Sequence, residues 1–345
     1  MKTPKFNHCQ WYAIVLAFAV ISGCKKEAAP EPSTNSTASS SMATKQSLVT
    51  QAGQLYIGTA FSAPTINSMT SIASASNGTM YVSDYPDDVI YKIAPTGTVT
   101  KFAQNVNSPS GLKVAKNGDV YAALYFDNKI IKITAAGVVD TLKLNLTLNH
   151  PTDVAVADDN TLYIADGFHK RILKVSPAGV ATVLAGKLGS TTDAIDGPGD
   201  VARFNYPTTI KLGADGYLWV VDGDKTGGSG LTLRRVTTQG VVKTVLNVSG
   251  SGMRIYNIQP AKLDANFNPT TYGNVFILFD HNNKITQYNT LSGTQLPVTQ
   301  NTTSGYVDGP IATALLQSPM ALSIRENVLY VTDNIAHVIR KIYKK

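Results

Sequence analysis

Five histidines occur in the chain, and four of them, His150, His169, His281 and His337, fall beyond the N-terminal apolar segment. Three imidazoles from separate segments would hold a zinc ion and leave one position for water or substrate. His150 stands three residues before Asp153, a carboxylate inside an apolar run. The other prominent aspartates, Asp84, Asp166, Asp222 and Asp333, close the related tetrapeptides YVSD, YIAD, WVVD and YVTD. Their identical phase argues for a repeated structural task, acceptance of turn N–H groups, and not for one shared active site. Aromatic residues follow at equivalent places: Tyr85, Tyr125, Phe126 and Phe168. Such rings offer a large contact area at low ordering cost to a sugar ring or a protein loop. The plainer alternative is that each ring packs over its own turn. GDKTGGSG, Gly223 to Gly230, lacks the lysine and hydroxyl spacing of a phosphate loop and reads as a long turn. No Ser-His-Asp arrangement is nominated, because a chain this rich in Ser and Asp supplies accidental ones.

A repeated strand unit must position these residues. In NHPTDVAVADDNTLYIADGFHKRILKVSPAGVATVLAG, Asn149 to Gly186, four short apolar runs are separated by Asp158-Asp159-Asn160, Asp166-Gly167 and Pro177-Ala178-Gly179. The runs are too short for helices and carry β-branched residues, and the separators have turn chemistry. Comparable units cover Ser71 to Ala103, Gly111 to Leu142, Thr209 to Leu246 and Ala321 to Ile342, with a degenerate copy including Gly273 to Asn289. Taking Asp84, Leu124, Asp166, Asp222, Asp280 and Asp333 as register marks gives intervals of 40, 42, 56, 58 and 53 residues. One small sheet cannot bury both its faces, so such units stack. The prediction is an all-β, six-bladed β-propeller of four-stranded antiparallel blades. The last copy ends after its third strand, and SLVTQAG, Ser47 to Gly53, matches the fourth-strand pattern of GVATVLAG. An N-terminal strand at 47–53 is therefore expected to close the last blade.

The chain resembles the NHL-repeat family over nearly all of residues 47–342, on Pro151 before a first strand, LYIAD at Leu162 to Asp166 and KRILKV at Lys170 to Val175. DGPGDVARFNYP, Asp196 to Pro207, and DGPIATALLQSP, Asp308 to Pro319, resemble the long inter-blade segments of bacterial members. Leu124 replaces the strand-ending aspartate in the second unit, and Asp153 stands where glycine is more typical. The resemblance implies the propeller and leaves function open, since the family includes binding scaffolds and enzymes. In that topology the turns between second and third strands share a face with the connections to the next blade. His150, Asp153, Asp166 and His169 converge there, with connections 187–206 and 298–318 long enough to build a recess.

Two enzyme groups with propeller architecture are similar. Peptidyl-hydroxyglycine amidating lyases use histidine-bound zinc, but His169, His281 and His337 fall toward the rim and only His150 lies near the axis. Calcium-dependent lactonases need an axial cluster of carboxylates and amides. Asp153 is the best axial carboxylate, without an evident companion set, and the only glutamates are Glu27, Glu31 and Glu326. The expectation is a non-enzymatic binding module that recognises a protein, peptide or glycan through Tyr85, Tyr125, Phe126, His150, Asp153, Phe168 and His169. No cofactor is expected. The alternative is a metal-dependent lyase or lactonase/hydrolase near the central channel, with zinc or calcium at His150 or Asp153.

Lys2 and Lys5 precede the apolar run Trp11 to Ile21, which ends in Ile21-Ser22-Gly23-Cys24. This resembles a bacterial lipoprotein signal, 1–23, with Cys24 lipidated. Residues 24–46, rich in Ser, Thr, Ala and Pro, read as a flexible tether before the propeller at 47–345. Lys25 rather than Asp after the cysteine points to an exported, lipid-anchored protein of the outer membrane, on either face. With Cys9 and Cys24 the only cysteines, no disulfide survives removal of the signal. The net charge is +7, of which two belong to Lys2 and Lys5, and no basic stripe with interleaved aromatics suggests nucleic acid. A monomer is expected.

Overall fold

The computed structural model describes residues 53–345 except 190–192, 225–229 and 280–282. Cys24, the signal, the tether and most of the expected strand 47–53 lie outside the described residues. Within them no helix is long and apolar enough to cross a membrane. The fold is an all-β, six-bladed β-propeller whose last blade is closed by an N-terminal strand.

The innermost strands, Met69–Ser74, Pro109–Val114, Pro151–Val156, Pro207–Leu212, Ile255–Leu263 and Pro319–Arg325, surround the axis. Each begins an antiparallel meander toward the rim. The second strands, including Met80–Asp84, Val120–Leu124, Leu162–Asp166 and Leu218–Asp222, are buried along their whole length. The apolar core therefore lies between blades. One cluster joins Val154, Ile164 and Leu173 of the third blade to Tyr121 and Ala123 of the second. Another joins Tyr163, Ala165 and Ile172 of the third to Ile210, Leu218 and Val220 of the fourth. Each sheet supplies one face to each neighbour, which is how units too thin to fold alone bury both sides.

The closing strand is Leu55–Ser62, paired antiparallel with Val338–Lys344 in a register that sets Tyr56 opposite Tyr343 and Ile57 opposite Ile342. It thus lies C-terminal to the SLVTQAG segment. Alternation favours this choice, because Leu55 and Ile57 are buried and extend the core between the fifth and sixth blades. The two long connections also differ from expectation. They return along blade edges instead of building a recess. Gly197–Pro198 pairs with Val241–Asn247, and Gly309–Pro310 pairs with Leu55–Ser62, giving those two blades a fifth strand. In each, the aspartate of DGP ties the edge inward. Asp196 Oδ1 accepts from Arg234 at 2.9 Å, and Asp308 Oδ1 accepts from Arg340 at 2.6 Å. The same arginines reach the strand-ending Asp222 and Asp333.

Neighbouring innermost strands are latched side chain to backbone. The Leu112 N–H donates to Ser71 Oγ at 3.1 Å, Ile210 N–H to Asp153 Oδ2 at 3.0 Å and Leu322 N–H to Asn257 Oδ1 at 3.3 Å. The Asp153 latch requires Gly111 beside it, since a Cβ there would meet Asp153 Oδ1 at 2.3 Å.

Candidate active site

The strand-ending aspartates define the face on which the candidate site is built. Asp166 Oδ1 accepts the Asn149 N–H at 2.7 Å, Asp84 Oδ2 accepts that of Asn67 at 2.8 Å, and Asp222 Oδ1 accepts that of Tyr206 at 2.8 Å. Each carboxylate thereby fixes the residues that lead into its own blade's innermost strand. In the third blade this fixes Asn149-His150. The His150 N–H donates to Asn128 Oδ1 at 2.6 Å, and the Phe168 N–H to the Asn149 carbonyl at 3.1 Å. His150 holds φ 51°, a left-handed conformation that histidine tolerates better than most residues. Gly167 closes over it, where a Cβ would approach the His150 carbonyl oxygen to 2.8 Å and the Tyr206 ring to 3.1 Å.

The rings on this face touch across blades, so packing of each ring over its own turn is not the arrangement. Tyr85 lies 6.1 Å from Tyr125 and 6.2 Å from Phe126, measured between ring centroids. His150 sits 4.6 Å from Tyr125, nearly edge-on at 67°, and 4.6 Å from Phe168 on its other side. Phe168 packs in turn against Tyr206 at 5.2 Å. The Tyr125 and Tyr206 hydroxyls meet at 2.8 Å. Tyr85 and Tyr206 are buried, Tyr125 and His150 half-buried, while Phe126 and Phe168 keep 42% and 48% of their surface exposed. The sector therefore has a polar floor of phenols and imidazole between two open aromatic walls.

Burial sets the charge states. It pushes the His150 imidazolium below the usual histidine range, so the ring is neutral at neutral pH. His150 Nδ1 lies 2.6 Å from Asn149 Oδ1. A carbonyl oxygen only accepts, so Nδ1 carries the proton and Nε2 carries the lone pair. Burial is also the largest cause that raises the phenols of Tyr85, Tyr125 and Tyr206, and a hydrogen bond further raises Tyr206. They remain protonated donors. One group that can take a proton thus stands beside a phenol pair in which Tyr206 donates to Tyr125, so that Tyr125 carries the O–H that can be offered to a developing oxyanion.

The other nominated residues are placed elsewhere or engaged otherwise. His169 Nδ1 lies 2.9 Å from Asp166 Oδ2, which also accepts from Arg171 Nε at 2.8 Å. His337 Nδ1 lies 3.0 Å from the Ile66 carbonyl oxygen, and His281 lies outside the described residues. Asp153 is axial, as expected, but is buried with both oxygens committed: Oδ1 accepts the Val154 N–H at 2.9 Å, and Oδ2 accepts Lys211 Nζ at 2.8 Å in addition to the Ile210 N–H. These donors do not fit a zinc or calcium shell, and no three His, Cys, Asp or Glu side chains gather into one among the described residues. The residues not foreseen are Tyr206, Asn149 and Asn128. Tyr206 had a visible signal, since Tyr206-Pro207 occupies the place of His150-Pro151 at the start of an innermost strand.

No family model matches the sequence, and no curated protein matches it significantly. Solved structures share the fold. The virginiamycin B lyase of Staphylococcus aureus is 17% identical, with 79% of each chain covered and a TM-score of 0.53. A gluconolactonase of Xanthomonas campestris is 13% identical over 88% of this chain and 94% of its own, with a TM-score of 0.59. An auxiliary nutrient binding protein of Bacteroides ovatus is 14% identical over 85% and 77%, with a TM-score of 0.63. The presence of a lyase and a gluconolactonase among these propellers corrects the expectation of a non-enzymatic binding module. The physical reason lies in the same rings that suggested binding: they enclose an oriented neutral base and protonated phenols, which a surface for contact alone does not require.

Proposed function

We propose that the chain is an enzyme that opens a cyclic ester, in the manner of a lactonase or a lyase, at the aromatic sector around His150. One observation carries this reading: a neutral imidazole, oriented by Asn149, stands edge-on to Tyr125, whose hydroxyl pairs with that of Tyr206, between two exposed rings. The substrate's apolar part would lie between Phe126 and Phe168. Its ester carbonyl would receive a phenol hydrogen bond as negative charge develops on oxygen. His150 Nε2 would take a proton from an attacking water, giving hydrolysis and a ring-opened hydroxy acid. The same base taking a proton from the carbon next to the ester's alkyl C–O carbon would form a C=C bond and break that C–O bond, releasing the carboxylate without water. No step is routed through a metal, because the described donors at His150 and Asp153 do not form a shell for one. The strand-ending aspartates and the Lys170 to Val175 pattern support an NHL-type origin for the blades, and Cys24 in its small-residue setting supports lipid anchoring at the cell envelope.

The test is turnover of a panel of aromatic and aliphatic lactones, with products read by mass. Turnover with gain of one water supports the lactonase form, and turnover without it supports the lyase form. No turnover of any cyclic ester, with the protein folded, sinks both.

A further inference from the structure

At the opposite end of the innermost strands from His150, the axial channel widens into a cavity of about 210 Å³. Its lining comes from all six blades and includes Lys113, Lys211, Ser74, Gln259 and Ser323. Lys113 and Lys211 hold the same position in their strands, the fifth residue of PSGLKV and of PTTIKL. Their electrostatic situations differ. Lys211 is paired with Asp153 at 2.8 Å, whereas Lys113 has no carboxylate within ion-pair distance among the described residues. Burial, followed by the proximity of Lys211, pushes the Lys113 ammonium below the usual lysine range, with Asp153 and Asp158 opposing. The channel therefore holds two lysines against one committed carboxylate. Its hydrogen-bonding groups are also incompletely used. Ser323 Oγ donates to Ser74 Oγ at 2.9 Å, leaving the Ser74 hydroxyl proton for another acceptor. Gln259 Nε2 donates to the Pro260 carbonyl at 2.9 Å, leaving Oε1 to accept.

We propose that this cavity is a second binding site, distinct from the aromatic sector, for a small hydroxy acid. The carboxylate pairs with Lys113, and the hydroxyls are read by Ser74 and Gln259. The volume suits a molecule of a few carbons, and a single lysine without a carboxylate partner, whose protonated form an entering anion stabilises, favours a monoanion. An entering carboxylate supplies the counter-charge that Lys113 lacks and lies in a walled site where charge-assisted hydrogen bonds are strong.

The experiment is calorimetric titration of the full chain with D-glycerate and, as a matched neutral control, glycerol. Saturable glycerate binding is expected at low salt, with no detectable glycerol binding. Lys113→Met should weaken glycerate by about tenfold or more, while Lys113→Arg stays within a few-fold of wild type. Phe168→Leu, at the far end, should leave glycerate affinity unchanged. Absence of glycerate binding overturns the proposal, as does equal affinity for glycerol or indifference to Lys113→Met in a folded variant. The glycerate–glycerol contrast in the wild-type chain stands as a test if Lys113→Met fails to fold.

Discussion

The aromatic sector and the Asp153 latch are built from the same strand repeats, yet they treat polar groups in opposite ways. Around Asp153 the polar atoms are consumed: two backbone N–H groups and Lys211 use both carboxylate oxygens, and Gly111 makes room for the latch. Around His150 the scaffold uses one ring nitrogen, pins the backbone and leaves Nε2 without a hydrogen bond to any described residue. An axial carboxylate satisfied by its own fold is a structural element. An imidazole held by one side and open on the other is suited to chemistry. Position near the axis, which made Asp153 attractive as a ligand, is thus a poorer guide than the state of each polar atom.

This contrast predicts different failures at the two places. His150→Gln should lower kcat/KM for a lactone substrate by about 10²–10⁴-fold with little change in melting temperature. Asp153→Asn should do the reverse, leaving kcat/KM nearly intact while destabilising the fold by about 3–5 kcal/mol, because Lys211 loses its partner in a buried setting. Calorimetric melting beside steady-state kinetics separates the two. Tyr125→Phe should cost about 10²-fold in kcat with a smaller change in KM, as expected for a donor used mainly in the transition state, since Tyr206 spends its own proton on Tyr125. Phe168→Leu should be mildest, raising KM a few-fold with kcat retained, since an exposed wall contributes contact and not proton transfer. Equal losses of activity and stability at both places would erase the distinction.

The repeat made the architecture legible, because four short runs between Gly, Pro and Asp turns admit few other packings. The closing strand falls at Leu55–Ser62 and not at the expected 47–53, with Leu55 and Ile57 buried against the fifth blade; alternation alone does not fix that choice. The rings of Tyr85, Tyr125, Phe126 and Phe168 are visible as a recurring turn feature. Their union with His150 is not, since it depends on the fold bringing Tyr125, 25 positions away in the neighbouring blade, and Phe168, 18 positions away in the same blade, to opposite sides of one ring. The aspartates illustrate the same limit. Asp84 and Asp166 share a phase, but Asp166 meets Arg171, whereas Asp84 has no arginine partner among the described residues and burial pushes its carboxyl up to about 6. Phase reports the common backbone task, and the partner is set by whether the third strand opens with Val89 or Arg171.

The most direct test of His150 as the base is the pH dependence of kcat/KM for a turned-over lactone, in wild type and in His150→Gln. Burial lowers the imidazole pKa, so the active neutral form should persist below the ordinary histidine midpoint of about 6.5 and be lost only as pH falls further. The wild type should show an acid limb with its midpoint below that value, and His150→Gln residual activity that no longer follows it. An identical acid limb in both proteins would contradict the assignment.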